Sequence, residues 1–246
     1  MAITKYQCTV QNYKNLTPTV FEISFKLDQP FQFKAGQFIS IVVPGAGPQG
    51  RDLRRAYSIA SSPEQNPVEL CVKLVEDGPG TNYLNRLRAG DVFLGHAPYG
   101  DFLYEHKAGK RVCFISTGTG IAPFRSMMLS KDFRDNPPVE TTCLLGVREE
   151  NEILYDQELS SLLINGKNIQ WVKAVSRPAT SGNFFKGRVT DWLRSQTDFA
   201  WLETDYYLCG GSAMINEVKE ILASKGVQKD SIHQEVYYKD PVKPQA

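Results

Sequence analysis

The sequence predicts two domains of different build: an antiparallel β-barrel or sandwich over residues 1–106, then a doubly wound α/β domain with a parallel sheet over residues 107–246. Three observations carry this. Short runs of β-favouring residues broken by Gly/Pro turns fill the first part. Near residue 108 the rhythm changes to alternating strands and helices. A length of 246 residues suits one large domain or two modest ones.

In the first part, Phe21 to Leu27 alternates apolar and polar side chains at period two, as a half-buried strand does. Phe38 to Val43 is a second β-rich run, stopped by Pro44, Gly45 and Gly47. Val68 to Val75 is a third, stopped by Asp77-Gly78-Pro79-Gly80. The polar stretch Glu105 to Lys110 marks the boundary. Val112 to Ile115 is continuously apolar, as in a parallel strand buried on both faces. A glycine turn and a helix over Ala122 to Phe133 follow, then strand Thr142 to Gly146, helix Leu154 to Ile164 and strand Ile169 to Val175. A short helix over Val189 to Arg194 precedes strand Tyr206 to Cys209, helix Ala213 to Ser224 and a last strand, His233 to Tyr238. The tail Asp240 to Ala246 is expected to be poorly ordered.

The formal net charge is +1, which gives no support to a nucleic-acid binder. No apolar run reaches the roughly 18 residues of a membrane span, and the N-terminus lacks a signal-peptide build. Cys8, Cys71, Cys113, Cys143 and Cys209 are widely spaced, with no Cys-x-x-Cys, so neither zinc nor an iron–sulfur cluster is indicated. Free thiols fit a reducing compartment, and a cytoplasmic protein is expected.

Three segments carry candidate chemistry. Ser116 to Pro123 (STGTGIAP) follows an apolar strand and opens a helix. Its glycines allow close approach of a phosphate, and the free N–H groups of a helix start attract an anion. It lacks the three-glycine dinucleotide fingerprint, so a plain strand-to-helix turn is an equal reading. Arg55-Ala56-Tyr57-Ser58 offers a guanidinium for a phosphate, a flat ring and a hydroxyl for a flavin. An ordinary strand with one exposed Arg explains it as well. Gly78 to Leu84 (GPGTNYL), ahead of a short helix, could present backbone N–H groups to a pyrophosphate or could simply be a β-turn.

These segments occur together and in order. With Arg55 to Ser62, Leu70-Cys71-Val72-Lys73, Gly118 to Ser126, Leu145-Gly146-Val147, Leu154-Tyr155, Cys209-Gly210 and Glu235-Val236-Tyr237, the chain resembles the ferredoxin–NADP(+) reductase family from about residue 8 to 238. The resemblance implies an FAD-binding Greek-key barrel followed by an NADP-binding α/β domain. It implies that Arg55, with Ala56, contacts the FAD phosphates, that Tyr57 stacks on the isoalloxazine and that Ser58 sits near flavin N5. Cys71 and Lys73 belong to its flavin-binding set. Gly80, Thr81 and Asn82 would hold the FAD pyrophosphate. Thr119, Gly120 and Gly210 would face the NADP pyrophosphate and nicotinamide. Cys209 would stand beside the nicotinamide, as a positioning group and not a covalent nucleophile. Glu235 is linked to proton movement, and Tyr237 would cover the flavin face that nicotinamide must reach. In the plant-type pattern that Tyr ends the chain. Here nine residues follow, starting with Tyr238, so which aromatic stacks is open.

After the strand ending at Val175 the chain reads Ser176-Arg177-Pro178, and later Lys186-Gly187-Arg188. No acid stands there to hold a free ribose 2′-OH, and Ser176, Arg177 and Arg188 resemble an NADP-binding set. The predicted function is a monomeric flavoprotein oxidoreductase. It moves hydride between NADP(H) and FAD, and single electrons between FAD and a ferredoxin or flavodoxin. Arg51, Arg54, Arg86 and Arg88 are candidates for docking that acidic carrier. The alternatives are the reductase component of an oxygenase and a flavin or quinone reductase; an FAD- and NADP-binding sensor without turnover is a reading from another class.

Overall fold

A computed structural model describes residues 2–164 and 166–238. The expectation for the tail from Asp240 lies outside the described residues. The chain forms two compact units. The first comprises the residues up to Glu105 together with Ala122–Asn136; the second comprises His106–Ile121 and the chain from Pro137 onward.

The first unit is built on six strands: β1 (Thr4–Thr17), β2 (Val20–Leu27), β3 (Phe38–Val43), β4 (Leu53–Ser58), β5 (Val68–Lys73) and β6 (Val92–Tyr99), with helix α1 (Pro79–Arg86) before β6. Their order is β4-β3-β6-β1-β2-β5, all neighbours antiparallel. Strand β6 returns to lie between β1 and β3, the long return of a Greek key. A bridge between Ile59 and Leu70 joins the two edges, so the sheet closes into a barrel. Alternation explains the interior: Tyr6, Cys8 and Val10 of β1 point inward beside Phe25, Ile41 and Phe93. Burying one such apolar side chain contributes about 1.5–3 kcal/mol.

Strands β1, β4 and β6 do not stand out in the sequence. In β1 the inward residues alternate with Lys5, Gln7 and Thr9. In β4, Arg54, Arg55 and Ala56 are exposed on an edge strand. In β6, Gly95 and Pro98 interrupt the apolar pattern. Helix α1 begins at Pro79 itself, so Gly80, Thr81 and Asn82 form its first turn and not a loop ahead of it.

The second unit contains β7 (Arg111–Thr117), a 3-10 turn at Gly118–Gly120, the start of α2 (Ile121–Leu129), β8 (Thr141–Val147), α4 (Asp156–Ser161), the small hairpin β9 (Leu163–Ile164) and β10 (Lys167–Asn168), β11 (Gln170–Val175), β12 (Phe185–Lys186), α5 (Val189–Ser195), β13 (Thr204–Gly211), α6 (Ser212–Ser224) and β14 (Ile232–Tyr238); α3 (Lys131–Asp135) follows α2 and groups with it in the barrel unit. The larger sheet is parallel, in the order β12-β11-β8-β7-β13-β14. Strands β8 and β13 are buried along their whole length, as in a sheet covered on both faces.

Two expected helices are shorter than read. The helix expected over 122–133 breaks at Ser130, whose extended backbone (ψ 149) starts α3 and whose hydroxyl accepts from Phe133 N at 3.1 Å. The helix expected over 154–164 covers only α4, because Leu163 and Ile164 pair with Asn168 and Lys167 in the hairpin. No helix among the described residues is long and apolar enough to cross a membrane.

Candidate functional site

In the barrel unit, β4 and the start of α1 form one cluster. Arg55 and Tyr57 lie on the same side of β4, two residues apart. Both meet Gly80: a Cβ placed there would sit 2.5 Å from Tyr57 Oη and 2.8 Å from Arg55 Cγ. Only a glycine lets strand and helix start approach so closely. Pro79 has no N–H, and helix geometry leaves the N–H groups of Gly80 and Thr81 without an intrahelical acceptor. The result is an aromatic ring, two backbone donors and the stem of Arg55 at one helix N-terminus; the Arg55 guanidinium donates through Nη1 to Arg54 O at 2.9 Å.

The side chains of Thr81 and Asn82 are turned the other way. Thr81 Oγ1 accepts from Val75 N at 3.2 Å and lies 3.1 Å from Gly78 O. Asn82 Nδ2 donates to Glu76 O at 2.8 Å and to Val75 O at 3.2 Å, and its N–H donates to Gly78 O. These two side chains tie the loop to the end of β5, leaving backbone donors as what the helix start can offer a ligand. Burial pushes the Tyr57 hydroxyl up to about 12, against the opposing pull of Arg55. Ser58 is buried on the opposite side of β4 and pairs with Phe38 across the ladder. On β5, Cys71 is buried, whereas Lys73 at the strand end is exposed.

In the second unit the order of the sheet reverses between β7 and β13, and the crevice outside their carboxyl ends is where such folds bind ligands. The Gly118–Gly120 turn leaves β7 there and leads into α2. Gly120 lies directly against the backbone of the other strand: a Cβ would collide with Cys209 O. A Cβ at Gly210 would collide with Thr117 Oγ1. Thr119 is half-buried on the same turn. Cys209 lies in register with Glu235 on β14. Burial pushes the Cys209 thiol well up; the Glu235 carboxylate adds to this, and a hydrogen bond with Tyr237 opposes it. The group is therefore a neutral thiol at ordinary pH, suited to positioning and not to attack. The structure brings together Cys209, Glu235, Tyr237, Gly210, Thr119 and Gly120. The side chain of Tyr238, the other aromatic considered, lies outside the described residues.

A third cluster occupies the carboxyl ends of β8 and β11. Ser176 bonds to Val147 O through both N (3.1 Å) and Oγ (3.3 Å), and Arg177 N donates to Arg148 O at 2.7 Å. Gly187 N donates to Val175 O at 2.9 Å, which returns Lys186 and Arg188 beside the end of β11. Arg148, Arg177 and Arg188 are exposed. Arg148 was not singled out from the sequence, because only the β8–β11 pairing sets it next to Arg177. Two nearby acids bond backbone groups of the same residues: Glu152 accepts from Arg148 N at 2.9 Å, and Asp191 accepts from Arg188 N at 2.8 Å.

Two family models match the chain. Residues 7–104 match the model of the oxidoreductase FAD-binding domain, and residues 114–220 that of the oxidoreductase NAD-binding domain. The chain is 32% identical over 231 residues to ferredoxin–NADP reductase B of Sorangium cellulosum, covering 90% of this chain and 93% of that protein. It belongs to the ferredoxin–NADP(+) reductase family. Another member, the ferredoxin–NADP reductase of Azotobacter vinelandii, is 30% identical, covering 85% of this chain and 86% of that protein. The reductase component of a phenol 2-monooxygenase from Pseudomonas sp. (strain CF600) is also 30% identical; it matches 95% of this chain, which spans 65% of that protein's length. The fold matches that of the Neisseria gonorrhoeae ferredoxin–NADP+ reductase with bound FAD and NADP, with a TM-score of 0.83 at 22% identity, over 97% of this chain and 100% of that one.

The residues of this family member fit both cofactors. The close approach at Gly80 leaves room for a diphosphate beside Tyr57, glycines line the switch point of the second unit, and Arg148, Arg177 and Arg188 are exposed near neighbouring strand ends. The chain is thus an FAD- and NADP-binding oxidoreductase.

Proposed function

We propose that this chain carries electrons between NADP(H) and a small acidic carrier protein, a ferredoxin or a flavodoxin, in the cytoplasm. The observation that supports this most directly is the switch-point cluster, where Gly120 packs against the carbonyl of Cys209, and Cys209 in turn lies in register with Glu235. Residues 1–106 act as the FAD-binding domain and residues 107–246 as the NADP-binding domain. Bound there, the nicotinamide supplies a hydride and the flavin divides it into single electrons.

The residues bind and orient. Arg55 and the N–H groups of Gly80 and Thr81 hold the FAD diphosphate, with Ala56, Cys71 and Lys73 lining the same site. Tyr57 provides the stacking face, and Ser58 a hydroxyl for the flavin edge. Thr119, Gly120 and Gly210 receive the NADP diphosphate and nicotinamide. Cys209 holds the nicotinamide ring in place, Glu235 serves proton movement next to it, and Tyr237 shields the flavin until nicotinamide arrives. Ser176, Arg177, Arg188 and Arg148 receive the ribose 2′-phosphate. Arg51, Arg54, Arg86 and Arg88 are all exposed on the barrel unit and offer the acidic carrier a cationic face.

The deciding experiment is anaerobic titration of the purified flavoprotein with NADPH and NADH, followed by visible absorbance. Flavin bleaching at least tenfold faster with NADPH, at equal subsaturating concentrations, is the expected result. Equal rates would remove the NADP assignment, and a protein that takes up no FAD would remove the whole reading. The 30% identity to a monooxygenase reductase component favours one second reading, electron supply to an oxygenase. A screen of carriers separates the two: reduction of ferredoxin or flavodoxin supports the first reading.

A further inference from the structure

The loop that bears Ser176 and Arg177 is not held by its own residues. It is fastened to the exit of the neighbouring strand at three successive points. Ser176 is bonded to Val147 O, and Arg177 N to Arg148 O. The third point is a side chain. Glu150, in the 3-10 turn after β8, accepts from Thr180 N at 2.7 Å and Thr180 Oγ1 at 2.9 Å through Oε1, and from Ala179 N at 3.2 Å through Oε2. Both carboxylate oxygens are used, and all three donors belong to a single loop turn. Without them the Ala179 and Thr180 N–H groups would have only water, and the loop would have no tie to the β8 exit beyond Arg177.

We propose that Glu150 is a positioning residue for coenzyme selection: its carboxylate fixes the 176–180 loop so that Ser176 and Arg177 meet the ribose 2′-phosphate beside Arg148. The proposal rests on the NADP reading above.

Two physical points support it. Charge-assisted hydrogen bonds from backbone N–H groups are the stronger kind, and three on one carboxylate define the position of a loop. Its own backbone N–H first, then the bonds from Thr180 and Ala179, hold the Glu150 carboxyl down to about 2, so it is ionised throughout the working range. A negative charge near a phosphate site works against phosphate binding by Coulomb repulsion. Repulsion and positioning therefore predict opposite effects when Glu150 is changed. The bonds that Glu150 makes to the loop go to Ala179 and Thr180.

The test uses the holoprotein with its FAD, as wild type, Glu150→Gln and Glu150→Ala. Binding of 2′,5′-ADP and of 5′-ADP is measured by calorimetry, alongside KM and kcat for NADPH and NADH and amide exchange at Thr180. Positioning predicts that 2′,5′-ADP binds about tenfold more weakly to Glu150→Ala, with 5′-ADP unchanged. KM for NADPH rises while kcat moves less than about twofold. Glu150→Gln, which keeps one carbonyl acceptor for Thr180, falls between wild type and Glu150→Ala. Thr180 exchanges faster in the same order. Tighter 2′,5′-ADP binding in both variants would overturn the proposal and make Glu150 a purely repulsive charge. Unchanged binding in both would overturn it as well. Should Glu150→Ala not fold, Glu150→Gln and its Thr180 exchange decide alone. A wild type that does not distinguish 2′,5′-ADP from 5′-ADP would defeat the NADP reading itself, a failure distinct from that of the Glu150 proposal.

Discussion

Arg125 Nη1 lies 2.7 Å from Glu69 Oε2, and both side chains are withdrawn from solvent, at 8% and 15% exposure. The same nitrogen donates to Ala60 O at 3.0 Å, and the next residue, Ser126, donates its hydroxyl to Ser61 O at 2.6 Å. Helix α2 is thereby fixed to the segment that follows β4, within one compact unit. Removing one partner of a buried ion pair leaves the other charge without compensation and costs about 3–5 kcal/mol. Arg125→Met is expected to lower unfolding free energy by that order in urea titration. The double change Arg125→Met with Glu69→Leu should recover much of the loss. A single variant within about 0.5 kcal/mol of wild type would show that the pair is not structural.

The Gly120 contact gives a sharper steric prediction. A methyl at this position meets the carbonyl of Cys209, a backbone atom that cannot rotate away. Either β13 or the Gly118–Gly120 turn must shift. Misplacement of about 1 Å at a reacting centre can cost on the order of 100-fold in rate. Gly120→Ala should therefore keep its flavin spectrum, because the barrel cluster is untouched, and lose most of its NADPH-dependent flavin reduction. Stopped-flow reduction at saturating NADPH measures this. A rate within twofold of wild type would mean that the turn does not set nicotinamide geometry.

What the sequence made legible follows the physics of each element. Strand β7 was readable because Val112 to Ile115 are all buried, so the pattern is a plain apolar run. Strand β1 was not, because its inward Tyr6, Cys8 and Val10 count as inward only once β2 and β6 flank them. The places of Thr119 and Gly120 on the turn after β7, and of Gly210 near the end of β13, were readable through glycine and strand-end position. Arg148 and Glu150 were not. Their partners, Arg177 and Thr180, lie about 30 residues away, and the contact exists only because β8 and β11 pair in parallel with their ends level. The helix expected over 154–164 was over-read for a related reason: the β9–β10 hairpin that claims Leu163 and Ile164 is a two-residue pairing too short to leave a periodic signal.

The five cysteines lead to a pH prediction. All are free and buried. Burial, helped by Asp28, pushes the Cys8 thiol from the ordinary 9.0 up to about 12. A group whose folded value is raised holds its proton more tightly in the native state. Its contribution is complete below the unfolded value and is lost as pH rises toward the folded one. For Cys8 that window runs from about pH 9 to 12, with a loss of about 1.4 kcal/mol per pH unit. Urea unfolding at successive pH values should show stability falling above pH 9, with a shallower fall in Cys8→Ala. Identical slopes would mean that Cys8 is not protected by the fold. Under native conditions near pH 8, a disulfide reagent should label none of the five thiols quickly.

Tyr57 separates ring from hydroxyl. Its Oη abuts Gly80, the residue whose N–H faces the proposed diphosphate site, whereas its ring packs against the barrel core. If stacking is the main contribution, Tyr57→Phe should retain FAD through gel filtration, and Tyr57→Ala should lose most of it. An aromatic contact of this kind is worth about 0.5–1.5 kcal/mol beyond the area it covers, so the loss in Tyr57→Ala should exceed tenfold in FAD affinity once that area is included. The hydroxyl's share appears in Tyr57→Phe alone. A small drop would show that Oη orients the α1 start, and an unchanged affinity would leave the ring as the whole effect. Full cofactor retention by Tyr57→Ala would instead remove Tyr57 from the flavin site and leave Arg55 with the Gly80 and Thr81 donors as its anchor.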